Sequence, residues 1–311
     1  MIVPTRLPKA SRILLKYNEN YSHLTPVPTR VYNAPVMKRV TKATQPAAPG
    51  STAALWWQPV GLEDGPVSCF TIGPLTLHVQ RLADEWRLAW SHAPENPDDV
   101  HWSVEQLSSD ALPDAHERYV FATGEPMLHL RPRLADRPVV IRPRSPVYLP
   151  SGQQAKLYLS TPLTLEVRAG EHQLLREIPM VPLSDTWFGP STREGEFCYS
   201  ARTHARHTLE EVPRRPHRAI TPLLIRNDAT SVLPLEKLSL PVPMLSVFGS
   251  SDGAVWTEEV SLVREKDGDL AAIQVGRNAP SAAGQVELLS APRQAGGRTT
   301  LVRAFSVLFG G

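Results

Sequence analysis

Proline is the feature that most constrains this chain. It accounts for 31 of 311 residues, about twice the ~5% of ordinary proteins. The proline ring is excluded from helix interiors and central strand positions, and it is tolerated at edges, bulges and turns. Here the prolines are spread along the whole length, so long helices have nowhere to run. The expected fold is all-β: two β-sandwich-like domains of short antiparallel strands, with little helix.

Hydrophobic alternation supports that expectation. After Gly73-Pro74, residues Leu75, Leu77 and Val79 alternate with Thr76, His78 and Gln80, a one-face-in, one-face-out strand. Trp86, Leu88 and Trp90 fall in step over 85–91 and suggest its antiparallel partner. The clearest strand runs over 156–167, with Leu157, Leu159, Leu163, Leu165 and Val167 on one parity and Pro162 marking an edge or bulge. It turns at Ala169-Gly170-Glu171 and returns through 174–182 as a long hairpin arm. Val104, Leu107 and Ala111 stand at near-helical spacing, which predicts one or two helical turns before Pro113. The run 300–309 is apolar on both parities, as in a strand covered on both sides.

Composition divides the chain further. Residues 1–50 carry eight Lys or Arg against Glu19 alone, leaving 25 bases and 30 acids for the rest. The segment 1–54 therefore reads as a basic, disordered N-terminal extension ending in linker-like TQPAAPGSTAA. An N-terminal β domain is expected over 55–150 and a C-terminal β-sandwich over 151–311. The body is mildly acidic, which argues against a nucleic-acid partner for it. No run approaches the ~20 apolar residues of a membrane helix. Cys69 and Cys198 form no disulfide framework and no CxxC pair. A soluble, cytoplasmic protein is the expectation.

Unusual chemistry gathers in 183–207, LSDTWFGPSTREGEFCYSARTHARH. Cys198, His204 and His207 are metal-ligand types, but strand parity separates them and Arg202 and Arg206 repel a cation, so no metal site is expected. Gly189-Pro190-Ser191 lacks the second glycine of a nucleophile elbow. Cys198, between Phe197 and Tyr199, reads as a buried strand thiol. Phosphate-binding loops are absent, and no cofactor is implied. What remains is a recognition surface: Trp187 at a Gly-Pro turn with Arg193, Arg202 and Arg206, suited to an anionic ligand or a protein partner. The bland alternative pairs these arginines with Glu194, Glu196, Glu210 and Glu211. As a weak catalytic set, Asp185 with Glu194 or Glu196 would serve a hydrolase acting on carbohydrate or ester.

Several segments resemble an uncharacterised prokaryotic family, domain of unknown function 432. They are LWWQPV at 55–60, IGPLTLHVQRLADEWRLAW at 72–90, KLYLSTPLTLEV at 156–167 and PLSDTWFGPSTREGEFCYSARTHAR at 182–206. PLLIRNDATSVLPLEKLSLPVPMLSVF at 222–248 and WTEEVSLVRE at 256–265 follow in the same order. The resemblance covers residues 55–292 and leaves 1–54 as an extension. It implies an accessory β-protein with no catalytic residue to carry over, and a loose association with mechanosensitive channels as partners. The leading expectation is a non-enzymatic binding or accessory protein using 183–218, with the hydrolase as alternative.

Overall fold

The computed structural model describes residues 55–121, 125–143, 146–295 and 300–305, without the side chains of 201–204 and 300. The basic extension expected over 1–54 lies outside the described residues. The first strands are β1 (Val60–Gly61), β2 (Val67–Ile72), β3 (Leu75–Arg81), β4 (Glu85–His92), β5 (Trp102–Leu107) and β6 (Glu117–Val120). Five of them make an antiparallel sheet in the order β5-β2-β3-β4-β6. The alternation acts as expected: Leu75, Leu77 and Val79 are fully buried, while Thr76 and His78 are half-buried. The helical turns expected around Val104 do not form. Trp102 and Val104 instead pair with Ile72 and Phe70 of β2, because a neighbouring strand edge satisfies the backbone that a lone helical turn leaves open.

Next come β7 (Met127–Arg133), β8 (Val139–Pro143), β9 (Val147–Leu149), β10 (Gln153–Pro162), β11 (Thr164–Ala169) and β12 (Gln173–Pro179). The long strand read over 156–167 is two strands in two sheets. β10 joins a twelve-stranded sheet, and β11 joins a four-stranded one ordered β1-β7-β11-β12. The break falls at Leu163, whose N–H bonds the His217 carbonyl at 3.1 Å and whose carbonyl takes the Met180 N–H at 2.9 Å. Parity runs through the break because Leu157, Leu159, Leu165 and Val167 all enter one core.

Then follow β13 (Ser184–Phe188), β14 (Glu196–Arg206), β15 (Arg218–Asn227), β16 (Leu233–Leu235), β17 (Leu238–Leu240), β18 (Val247–Ser250) and β19 (Val255–Trp256). The last are β20 (Val260–Arg264), β21 (Leu270–Val275), β22 (Val286–Ser290) and β23 (Thr300–Arg303), and short 3-10 turns sit at Val242–Met244 and Ser281–Ala283. The large sheet runs β17-β8-β14-β10-β15-β19-β18-β22, with β13 on β14 and β20, β21 and β23 branching from β15. Strands from both sides of residue 150 share sheets: β7 pairs with β11, and β8 with β14. Of the run expected to be covered on both sides, 306–309 lie outside the described residues. Among the described residues β23 pairs with β21 alone and Leu301 is 66% exposed; apolar residues on both parities do not by themselves supply a second covering layer. One core cluster runs from Trp56 and Trp57 to Phe305.

Candidate functional site

The stretch that stood out in the sequence folds as a hairpin, β13 against β14, in unbroken register from Ser184↔Ser200 to Phe188↔Glu196. Its turn is tight. A Cβ on Gly195 would lie 2.6 Å from the Phe188 carbonyl oxygen and 2.7 Å from the Trp187 ring, and one on Gly189 would lie 2.1 Å from the Glu194 carbonyl oxygen. Ser191 organises the loop: its hydroxyl accepts the N–H groups of Arg193 (3.2 Å) and Glu194 (3.1 Å), and its carbonyl accepts Trp187 Nε1–H at 2.7 Å.

Cross-strand partners share a face and successive residues alternate. Thr186, Phe188, Glu196 and Cys198 therefore share the inner face, where Phe188 and Cys198 pack on Val140. Cys198 is fully buried and lies 3.7 Å from Ser239 Oγ, which donates to Glu196 at 3.2 Å. Burial pushes the thiol up to about 11, beyond the partial relief from Ser239. Burial also raises Glu196, against the hydrogen bond from Ser239 and the charge of Arg303. The thiolate is the nucleophilic form, and burial disfavours it here.

The outer face carries Asp185, Trp187, Phe197 and Tyr199. Trp187 and Phe197 meet edge to face, centroids 5.2 Å apart at 82°, yet remain 40% and 64% exposed. Beside them Arg137 donates to Asp185 at 3.1 Å and lies 5.3 Å over the Tyr199 ring, whose hydroxyl donates to Asp136 at 2.9 Å. Tyr199 Oη–H is raised by burial first and then by Asp136. This is an exposed aromatic strip with a neutralised charge pair at one end.

The far end of β14 is a separate place. Arg206 registers with Tyr158 of β10, roughly 30 Å of extended strand from Phe197. Near it, Glu95 from the acidic 94–100 loop collects the cations that follow β14. Arg218 donates to both its carboxylate oxygens (2.5 and 2.8 Å), His217 Nε2 lies at 3.0 Å and Arg215 Nη1 at 3.2 Å. Burial opposes ionisation of Glu95, but the bonds from His217 and Arg218 and their charges outweigh it and hold the acid at about 2. His217 is fully buried, and burial lowers its pKa despite Glu95. Arg215 is lowered too, first by burial, with Arg218 and Arg206 acting against Glu95. Arg214 pairs with Asp252.

Residues expected to act together are thus divided. Trp187 and Arg193 sit at the hairpin tip and Arg206 at the opposite end; the side chain of Arg202 lies outside the described residues. Asp185 projects from the outer face and Glu196 from the inner one, while Glu194 lies in the exposed turn. The later arginines pair with Glu95 and Asp252 rather than with the nearby Glu210 and Glu211. Sequence reading passed over Glu95 and His217, which no local pattern marks. It also set Phe197 and Tyr199 around Cys198 without using their shared parity, the signal that places them opposite the thiol.

No helix among the described residues is long and apolar enough to cross a membrane. No curated protein and no solved structure matches the chain. A family model does match, over residues 56–309, and it spans both the aromatic hairpin and the Glu95 cluster. The chain belongs to that family, described as protein of unknown function (DUF432).

Proposed function

We propose that the protein is a non-enzymatic accessory or binding β-protein that takes a protein partner on the outer face of the β13–β14 hairpin. The observation behind this is the exposed Trp187–Phe197 pair, held by its own turn and by the Trp187–Ser191 bond. Large aromatics ordered at the surface at low entropic cost are the usual anchors of protein interfaces. Arg193 stands in the exposed turn beside them. Of the two ligand classes expected for this region, the protein partner has more support. An anion would need several guanidiniums at one place, and Arg193 and Arg206 stand at opposite ends of β14 while Arg214, Arg215 and Arg218 hold carboxylates. The hydrolase alternative finds less, since Asp185 is engaged by Arg137 and points away from Glu196.

Affinity capture from native cells tests the reading when wild type is compared with the Trp187→Ala/Phe197→Ala variant. A partner retained by wild type should fall by about tenfold or more with the variant, the scale of an aromatic anchor. Equal retention of every partner by a variant with an unchanged melting curve would remove the outer face from consideration.

A further inference from the structure

A second property follows from the backbone of β13, independent of its side chains. The Tyr199 N–H bonds the Pro138 carbonyl at 2.8 Å, toward β8. A strand residue points its N–H and C=O to the same side and its neighbours point theirs to the other. Ser200 and Cys198 therefore direct their backbone groups to β13, and Tyr199 and Phe197 direct theirs away. The partners of the latter pair, Asp185 and Trp187, must in turn direct their N–H and C=O groups away from β14. Among the described residues β13 pairs with β14 alone, and no other backbone bond reaches Ser184–Phe188. The free edge of the large sheet thus offers two donors and two acceptors, at Asp185 and Trp187.

Exposed edges are normally blunted by bulges, prolines or unpaired charge. Elsewhere this fold uses such devices. The β11–β12 pairing slips between Val167 and Arg168, and β12 ends on Pro179. The β18–β22 pairing slips between Val247 and Phe248. β5 carries Glu105, which has no ion pair among the described residues. β13 has no slip and no proline, and its one charge, Asp185, is neutralised by Arg137.

We infer that β13 is a self-association edge, pairing antiparallel with β13 of a second copy about a two-fold axis at Thr186. A second copy fits this edge in register and in side-chain chemistry. Centring on Thr186 sets Asp185 opposite Trp187 of the second copy, and Trp187 opposite Asp185 of that copy. All four outward-pointing groups of each strand then meet complementary ones, giving four backbone bonds. Moving the axis by one residue brings only one outward residue of each strand into a bonded pair within Ser184–Phe188. The same arrangement sets the neutral Arg137–Asp185 pair against an aromatic ring of the second copy, where a guanidinium is favourably received. Two five-residue strands bury less than the ~1,200 Å² of standard stable interfaces, so the dimer is weak and concentration-dependent.

Sedimentation velocity of the full chain over a concentration series tests this, with Asp185→Pro and Asp185→Ala as variants. Proline at 185 removes an outward N–H without touching a β14 bond, whereas alanine removes only the side chain. Wild type and Asp185→Ala should show rising sedimentation coefficients with concentration, and Asp185→Pro should stay monomeric. A monomer at every concentration, a dimer that survives Asp185→Pro, or one lost equally in Asp185→Ala would overturn the proposal. Should Asp185→Pro fail to fold, amide exchange in wild type decides: the Asp185 and Trp187 amides must slow with concentration. Concentration-independent exchange there means that the edge takes no second copy.

Discussion

Glu95 and Arg218 share two hydrogen bonds, 2.5 and 2.8 Å long, although 123 residues separate them in the chain. Glu95 is 15% exposed and Arg218 1%, with His217 beside them fully buried. A loop from the first sheet is therefore fastened to the start of β15 by charge, and the fastening sits where β10 gives way to β11.

Removing the carboxylate takes a shared anion from two largely buried guanidiniums. Glu95→Ala should destabilise the fold by about 3–5 kcal/mol, the usual cost of breaking one side of a buried pair. Urea unfolding of wild type and variant measures it. A loss under about 1 kcal/mol would mean that the cluster is peripheral to stability.

The same cluster sets a pH dependence. Glu95 is held at about 2, below its ordinary 4.5, so the folded state binds fewer protons there than the unfolded chain. Its contribution is full above 4.5 and is lost as pH falls from there toward 2. His217, lowered below its ordinary 6.5 by burial, adds a loss in the same direction that begins as pH falls below 6.5. Stability followed from pH 7 to 3 should fall less steeply below about 4.5 in Glu95→Gln than in wild type. Parallel curves would contradict the assignment.

Gly73 explains why the turn before β3 tolerates no side chain. Its φ is +56°, and a Cβ there would lie 2.0 Å from His217 Nδ1. Gly73→Ala should cost about 2–4 kcal/mol from strain and crowding together. In Gly73→Ala/His217→Ala the crowding goes and the strain stays, so the two costs should fall short of adding. Strict additivity in thermal melts would show that the contact is not the cause.

Cys198 should resist thiol reagents in the folded protein, because only the thiolate reacts and burial keeps the group at about 11. Cys69 is half-buried and also raised, first by burial and then by Glu105. Labelling at pH 8 should be slow until denaturant is added, and then take up both cysteines. Rapid modification of Cys198 in native protein would contradict its placement under Phe188 and Val140.

Local pattern carried much of this protein. Prolines excluded helices, and the alternation of Leu75, Leu77 and Val79 specified a half-buried strand, because both effects act between residues a few positions apart. The turn at Gly170 was legible for the same reason. Tertiary structure alone decided the rest. The parity of 156–167 is identical whether one strand or two carries it, and only the His217 carbonyl at Leu163 divides them. Near-helical spacing at Val104 yielded to an available edge on β2. Arg215 and Arg218 paired with Glu95 rather than with the closer Glu210 and Glu211, since an ion pair depends on distance through space and on shared burial. Sequence concentrates Trp187, Phe197 and Cys198 in one stretch. The pairing of β13 with β14 sets the aromatics to solvent and the thiol to the core.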